Sequence, residues 1–101
     1  MATGWDARHT IKVVMKKVLM YSKQICPYCD MAERLLKARG IEHIEKITID
    51  SDPAKRDEMI QRTGLRTVPQ IFIGETHIGG YDKLAALDRN GELTALLAGN
   101  V

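Results

Sequence analysis

Cys26-Pro27-Tyr28-Cys29 lies where two patterns of different period meet, and that junction limits what the chain can fold into. Before it, Lys17-Val18-Leu19-Met20-Tyr21-Ser22 is short, β-prone and mostly apolar, as expected of a buried strand. Lys23-Gln24-Ile25 leads out of that strand as a loop ending on Cys26. After it, Pro27 suits the first turn of a helix, Cys29, Ala32, Leu35 and Leu36 share one helical face, and Gly40 supplies the stop. A strand, a cysteine-bearing loop and a helix with the second cysteine in its first turn follow in order.

The remaining chain alternates in the same way. Ile44-Glu45-Lys46-Ile47-Thr48-Ile49 reads as a second strand, and Asp52-Pro53 as the N-cap and first residue of a helix that runs to about Thr63 and ends at Gly64. Gln70-Ile71-Phe72-Ile73 and Thr76-His77-Ile78, either side of Gly74-Glu75, fit a β-hairpin. Beyond Gly79-Gly80, Leu84 and Leu87, then Leu93, Leu96 and Leu97, predict two short helices hinged at Asn90-Gly91. The order is β-α-β-α-β-β-α-α. With 101 residues, one compact domain is expected. Residues 1–14, with Gly4, Trp5 and His9, show no clear period, so an N-terminal extension is expected there, with the folded domain over 15–101.

Fifteen basic and 13 acidic residues are interspersed, for a net charge of +2, which is unlike the one-sided basic stripe of a nucleic-acid binder. No apolar run approaches the roughly 18 residues that span a bilayer. Two cysteines in a single Cys-x-x-Cys, with no signal peptide read upstream, point to redox chemistry or metal binding in a reducing compartment, with the cytoplasm as the expected location.

The thiolate attacks a disulfide, and a free cysteine of pKa about 8.5 is only about 3% ionised at pH 7. Placing Cys26 at the start of a helix aims unpaired N–H groups and the positive end of the helix dipole at its sulfur, and Lys23 can add positive potential. Cys29, one turn further in and more shielded, can then resolve a mixed disulfide by intramolecular attack. A lone Cys-x-x-Cys offers a metal two sulfurs where a closed zinc site needs four ligands, and His9, His43 and His77 lack the spacing to supply the others. A cluster shared between two subunits stays open as an alternative.

Pro69 opens an apparent strand, where it is either an ordinary strand-initiating proline or a cis one that leaves the Val68 N–H and C=O exposed to an extended peptide beside the redox loop. In Gly79-Gly80-Tyr81-Asp82 the acid either caps its helix or binds an amino group, with Lys23 pairing a carboxylate at the other end of a tripeptide.

Together, Lys23-Gln24-Ile25-Cys26-Pro27-Tyr28-Cys29, Thr67-Val68-Pro69-Gln70-Ile71-Phe72-Ile73 and Gly79-Gly80-Tyr81-Asp82 resemble the bacterial dithiol glutaredoxins, over about Lys17 to Leu97. The resemblance implies a thioredoxin-like α/β fold, a four-stranded mixed sheet flanked by helices, with Tyr28 beside the thiols and Pro69 cis. It implies glutathione held by Lys23, Tyr28, Thr67, Val68, Pro69, Gly80, Tyr81 and Asp82, with Cys26 and Cys29 catalytic. It also implies glutathione as reducing co-substrate with no tightly bound cofactor and no metal. The Cys-Pro-Tyr-Cys loop resembles the reductase branch rather than the monothiol, cluster-associated branch. Two features depart from the family: the segment before Met15, which short members lack, and Tyr81, where some relatives have a third cysteine.

The expected activity is reduction of protein disulfides and protein–glutathione mixed disulfides by the Cys26/Cys29 dithiol. The expected partners are glutathione and disulfide-bearing or glutathionylated proteins, with no nucleic acid and no membrane, and the expected state is a monomer. The alternatives are an iron–sulfur or metal carrier using Cys26 with glutathione and, ranked last, a redox-inert peptide-binding module built on the Val68-Pro69 edge.

Overall fold

A computed structural model describes residues 15–98, so the extension expected over residues 1–14, with Trp5 and His9, lies outside the described residues. The elements are β1 (Val18–Ser22), α1 (Pro27–Ala38), β2 (Ile44–Thr48), α2 (Pro53–Thr63), β3 (Gln70–Ile73), β4 (Thr76–Gly79), α3 (Tyr81–Arg89) and α4 (Leu93–Leu97). This is the expected order, with boundaries moved by a residue or two. The strands lie in the order β2-β1-β3-β4, with β1 parallel to β2 and antiparallel to β3, and β3 antiparallel to β4. The sheet is therefore mixed, and α1 is the crossover that its parallel pair requires.

The strand period of two splits the sheet into faces with different cores. On one face Val18, Met20, Ile71 and Ile73 pack with Ala32 and Leu36 of α1, Leu84 of α3, and Leu93 and Leu97 of α4. On the other, Tyr21 and Phe72 pack with Met59 of α2 and with Ile49. Leu36 is fully buried. Leu36→Ala is expected to destabilise the fold by about 2–5 kcal/mol through lost burial and a residual cavity, read as a lower denaturant midpoint with an unchanged slope.

Local chemistry fixes the ends of the elements. Asp52 accepts the Lys55 N–H at 3.3 Å as the N-cap of α2, and Gly64 closes that helix in the left-handed region at φ 74°. β4 carries a bulge, because Ile71 pairs with Gly79 and Phe72 with His77. Gly79 takes φ 115° there, which favours glycine.

On the α2 face the Tyr21 hydroxyl donates to Glu58 and accepts from Arg62 Nη1 at 2.8 Å, while Lys55 Nζ lies 3.3 Å from Glu58 Oε1. The Tyr21 hydrogen bond, aided by Lys55, holds the Glu58 carboxyl below its ordinary 4.5, and burial pushes the Tyr21 phenol up from 10.0. A carboxyl depressed in the folded state contributes stability above its unfolded pKa and loses it as pH falls through the folded value. Glu58→Gln is therefore expected to flatten the acid limb of the stability profile below pH 4.5. Because the side chain is 38% exposed, the effect is about 1 kcal/mol or less, read by urea unfolding across that pH range.

Candidate active site

The β1 to α1 junction delivers Cys26 as the N-cap of α1, extended at φ −150° and ψ 92°, with Pro27 in the first turn where a missing N–H is harmless. Cys29 sits one turn along, and the two cysteines form a disulfide with Cα atoms 5.2 Å apart. The Cys29 N–H donates to Cys26 Sγ at 3.2 Å, so one of the unpaired donors of the helix start points at that sulfur. Cys26 is 6% exposed and Cys29 2%, which leaves Cys26 the more accessible of the pair. The same electrostatics that orient this N–H favour a thiolate at Cys26 once the pair is reduced.

The loop that carries Cys26 is tied down from a distance. The Gln24 N–H donates to Asp50 Oδ2 at 3.2 Å, and the Ile49 N–H donates to the Ser22 carbonyl at 2.9 Å. Asp50 follows β2, 26 residues away in sequence, so no local pattern marks it as a partner of the redox loop.

Beside the thiols, Tyr28 is 58% exposed and its ring faces that of Tyr81, with centroids 6.0 Å apart. The two rings flank a cavity of about 390 Å³ that Thr67, Val68, Pro69, Gly80 and Asp82 also line. Seven of the eight residues expected to bind glutathione thus surround one space. The eighth, Lys23, lines an adjoining cavity of about 390 Å³ with Asp50, Arg56 and Arg66, and Thr67 and Val68 are shared by both. The two cavities adjoin across Thr67-Val68 as one groove with that pair as its ridge; Asp82 and Lys83 line one end, and Lys23, Arg56 and Arg66 outnumber Asp50 at the other.

The peptide bond between Val68 and Pro69 is cis. Neither the Val68 N–H nor its C=O forms a backbone hydrogen bond among the described residues, so both are open to a ligand. Asp82 lies in the first turn of α3, whose N-cap is Gly80, and no side chain caps that helix. Asp82 is therefore not the N-cap residue, although its first-turn position still suits the positive end of the helix dipole. Its carboxylate and the uncapped helix start both border the groove.

Gln70 is a further contributor that sequence patterning treats only as the first residue of a strand. It is 1% exposed, and its Nε2 donates to the Thr67 carbonyl at 3.0 Å and to Thr67 Oγ1 at 3.2 Å. His43 and His77 are exposed, but His77 bonds Gln70 at 2.8 Å.

A larger cavity of about 790 Å³ lies at the start of β1, lined by Met15, Lys17, Val18, Arg39, Ile41 and His43 among others, and contains neither thiol. The chemistry of the groove rather than cavity size marks the site. Among the described residues, no group of three or more His, Cys, Asp and Glu side chains is placed to hold a metal ion, and no helix is long and apolar enough to cross a membrane.

Residues 18–78 match the family model described as Glutaredoxin. The chain is 52% identical over 83 residues to a protein named Glutaredoxin from Neisseria meningitidis serogroup A, covering 82% of this chain and 98% of that one. It is 51% identical over 83 residues to Glutaredoxin 3 of Escherichia coli K12, covering 82% and 99%. Among solved structures, the crystal structure of the buckwheat glutaredoxin–glutathione complex superposes with a TM-score of 0.74 at 34% identity, covering 81% of this chain and 76% of that one. These likenesses favour an oxidoreductase over the metal- or cluster-carrier alternative.

Proposed function

The chain belongs to the glutaredoxin family and is a thiol–disulfide oxidoreductase that works with glutathione, and on that premise we propose that Cys26 is its nucleophile and Cys29 its resolving thiol. The observation that carries this assignment is the Cys26–Cys29 pair at the start of α1, with Cys26 Sγ accepting a helix N–H, beside a groove with Asp82 at one end and Lys23, Arg56 and Arg66 at the other.

With a protein–glutathione mixed disulfide, the Cys26 thiolate attacks the glutathione sulfur. The old S–S bond breaks, the protein leaves as a thiolate that takes up a proton, and Cys26 carries the glutathionyl group. A second glutathione thiolate attacks that group, releasing glutathione disulfide and regenerating the Cys26 thiolate. With a protein disulfide, Cys26 forms a mixed disulfide with the protein, and the Cys29 thiolate attacks Cys26 Sγ. This releases the reduced protein and leaves the Cys26–Cys29 disulfide, which two molecules of glutathione reduce in turn.

Glutathione lies along the groove, its γ-glutamyl amino group at Asp82 and its glycyl carboxylate at Lys23. The Val68 N–H and C=O pair with the tripeptide backbone as a short added strand. Thr67 and Pro69 shape that ridge, Tyr28 and Tyr81 border the central cysteinyl residue, and the Gly80 start of α3 supports the γ-glutamyl carboxylate. The buckwheat relative solved with glutathione supports a glutathione site on this fold. In this reading residues 15–101 form the catalytic domain and 1–14 an extension. The protein acts as a cytoplasmic monomer on disulfide-bearing and glutathionylated proteins, with glutathione as co-substrate and no resident cofactor.

The test is a glutathione-coupled turnover assay on a small mixed disulfide. Turnover that depends on glutathione and is lost on alkylation of Cys26 is the expected result. A folded, reduced protein with no turnover would overturn the assignment.

A further inference from the structure

Gln70 is the only residue among the described ones whose side chain hydrogen-bonds Thr67, and it holds both the Thr67 carbonyl and hydroxyl. A carbonyl can only accept, so the Gln70 amide must present its NH2 to Thr67. This leaves Oε1 facing His77 and makes His77 Nε2 the donor in the 2.8 Å bond between them. The His77 ring is itself held against Phe72, with centroids 4.9 Å apart and planes tilted by 34°, and the Arg62 guanidinium lies 4.1 Å from the same Phe72 ring.

A line of contacts therefore runs from the outer strand β4 through the buried head of β3 to the ridge of the groove. We propose that Gln70 and His77 are positioning residues for glutathione: they fix the Thr67-Val68 ridge so that the Val68 N–H and C=O are already aligned when the tripeptide arrives. The proposal rests on the groove being the glutathione site. The Val68 side chain packs against both cores, but its N–H and C=O make no backbone hydrogen bond among the described residues, and the adjoining Thr67 carries the side-chain anchor that sets the peptide plane between the two. A ridge set before binding lowers the ordering cost of the ligand contact, and its loss appears in binding rather than in thiol chemistry.

The test compares wild type with Gln70→Met, His77→Leu, His77→Gln and Lys23→Gln, using a glutathionylated peptide as substrate and, for the Gln70 and His77 variants, the pH midpoint of Cys26 alkylation by iodoacetamide as a readout of thiol chemistry. Gln70→Met keeps length and burial but removes the donors. It is expected to raise KM about tenfold with kcat and the alkylation midpoint unchanged. His77→Leu is expected to raise KM about threefold, and His77→Gln, which keeps a donor, to restore most of that loss. An unchanged KM in Gln70→Met while Lys23→Gln raises it would overturn the positioning role. So would a joint shift of KM, kcat and the alkylation midpoint in Gln70→Met, which would mark a merely structural part. An unchanged KM in both Lys23→Gln and Gln70→Met would instead overturn the groove as the glutathione site.

Discussion

Cys26→Ser is expected to abolish both deglutathionylation and protein-disulfide reduction, lowering turnover by about a thousandfold or more, equivalent to about 4 kcal/mol at 1.36 kcal/mol per decade. The hydroxyl cannot form the mixed disulfide through which both reactions pass. The helix N–H and dipole that favour a thiolate at this position are far too weak to ionise serine. Because the Cys26 side chain is small and lies at the N-cap, a position that serine also suits, the fold should survive the change. Far-UV circular dichroism together with turnover separates chemical loss from unfolding. Residual turnover near the wild-type rate would mean that Cys29 is an independent nucleophile.

Cys29→Ser is expected to divide the two activities. Removal of glutathione from a mixed disulfide needs only Cys26 and a second glutathione, so that rate should stay within about threefold of wild type. Reduction of a protein disulfide at low glutathione should fall by about 100-fold, because an intramolecular thiolate with Cα atoms 5.2 Å apart is replaced by a dilute external one. Raising glutathione should recover part of the loss. An equal loss of both activities would contradict the division of labour between the thiols.

Features that depend on neighbours along the chain are legible in the amino-acid sequence itself. Cys26 and Cys29 fall one helical turn apart wherever a helix begins at Pro27. Asp52-Pro53 carries its own capping geometry, and Gly74-Glu75 between two apolar runs marks a hairpin. The glutathione-site residues are legible as three motifs, although only the resemblance to a family joins them into one site. Asp82 illustrates the limit of local reading: an acid in the first turn of a helix suits the helix dipole or a ligand, and only the fold shows that it also lines the groove.

What the sequence hides is carried by contacts between residues far apart along the chain. Asp50 anchors the Gln24 N–H across 26 residues, and Arg62 reaches Tyr21 across 41. The bond from His77 to Gln70 crosses from β4 to β3, whose pairing sets His77 opposite Phe72, and alternation of apolar residues does not reveal it. Each link is polar and specific in angle, whereas sequence periodicity reports burial alone.

The most direct test of the proposed chemistry traps the covalent intermediate. Reduced Cys29→Ser protein is mixed with a glutathionylated peptide in the absence of free glutathione, quenched with acid and mapped by mass spectrometry. If Cys26 attacks the glutathione sulfur from within the groove, Cys26 will carry one glutathionyl group and the peptide will be released as a free thiol. Recovery of the peptide on Cys26 with glutathione released, or of no adduct on Cys26, would contradict it.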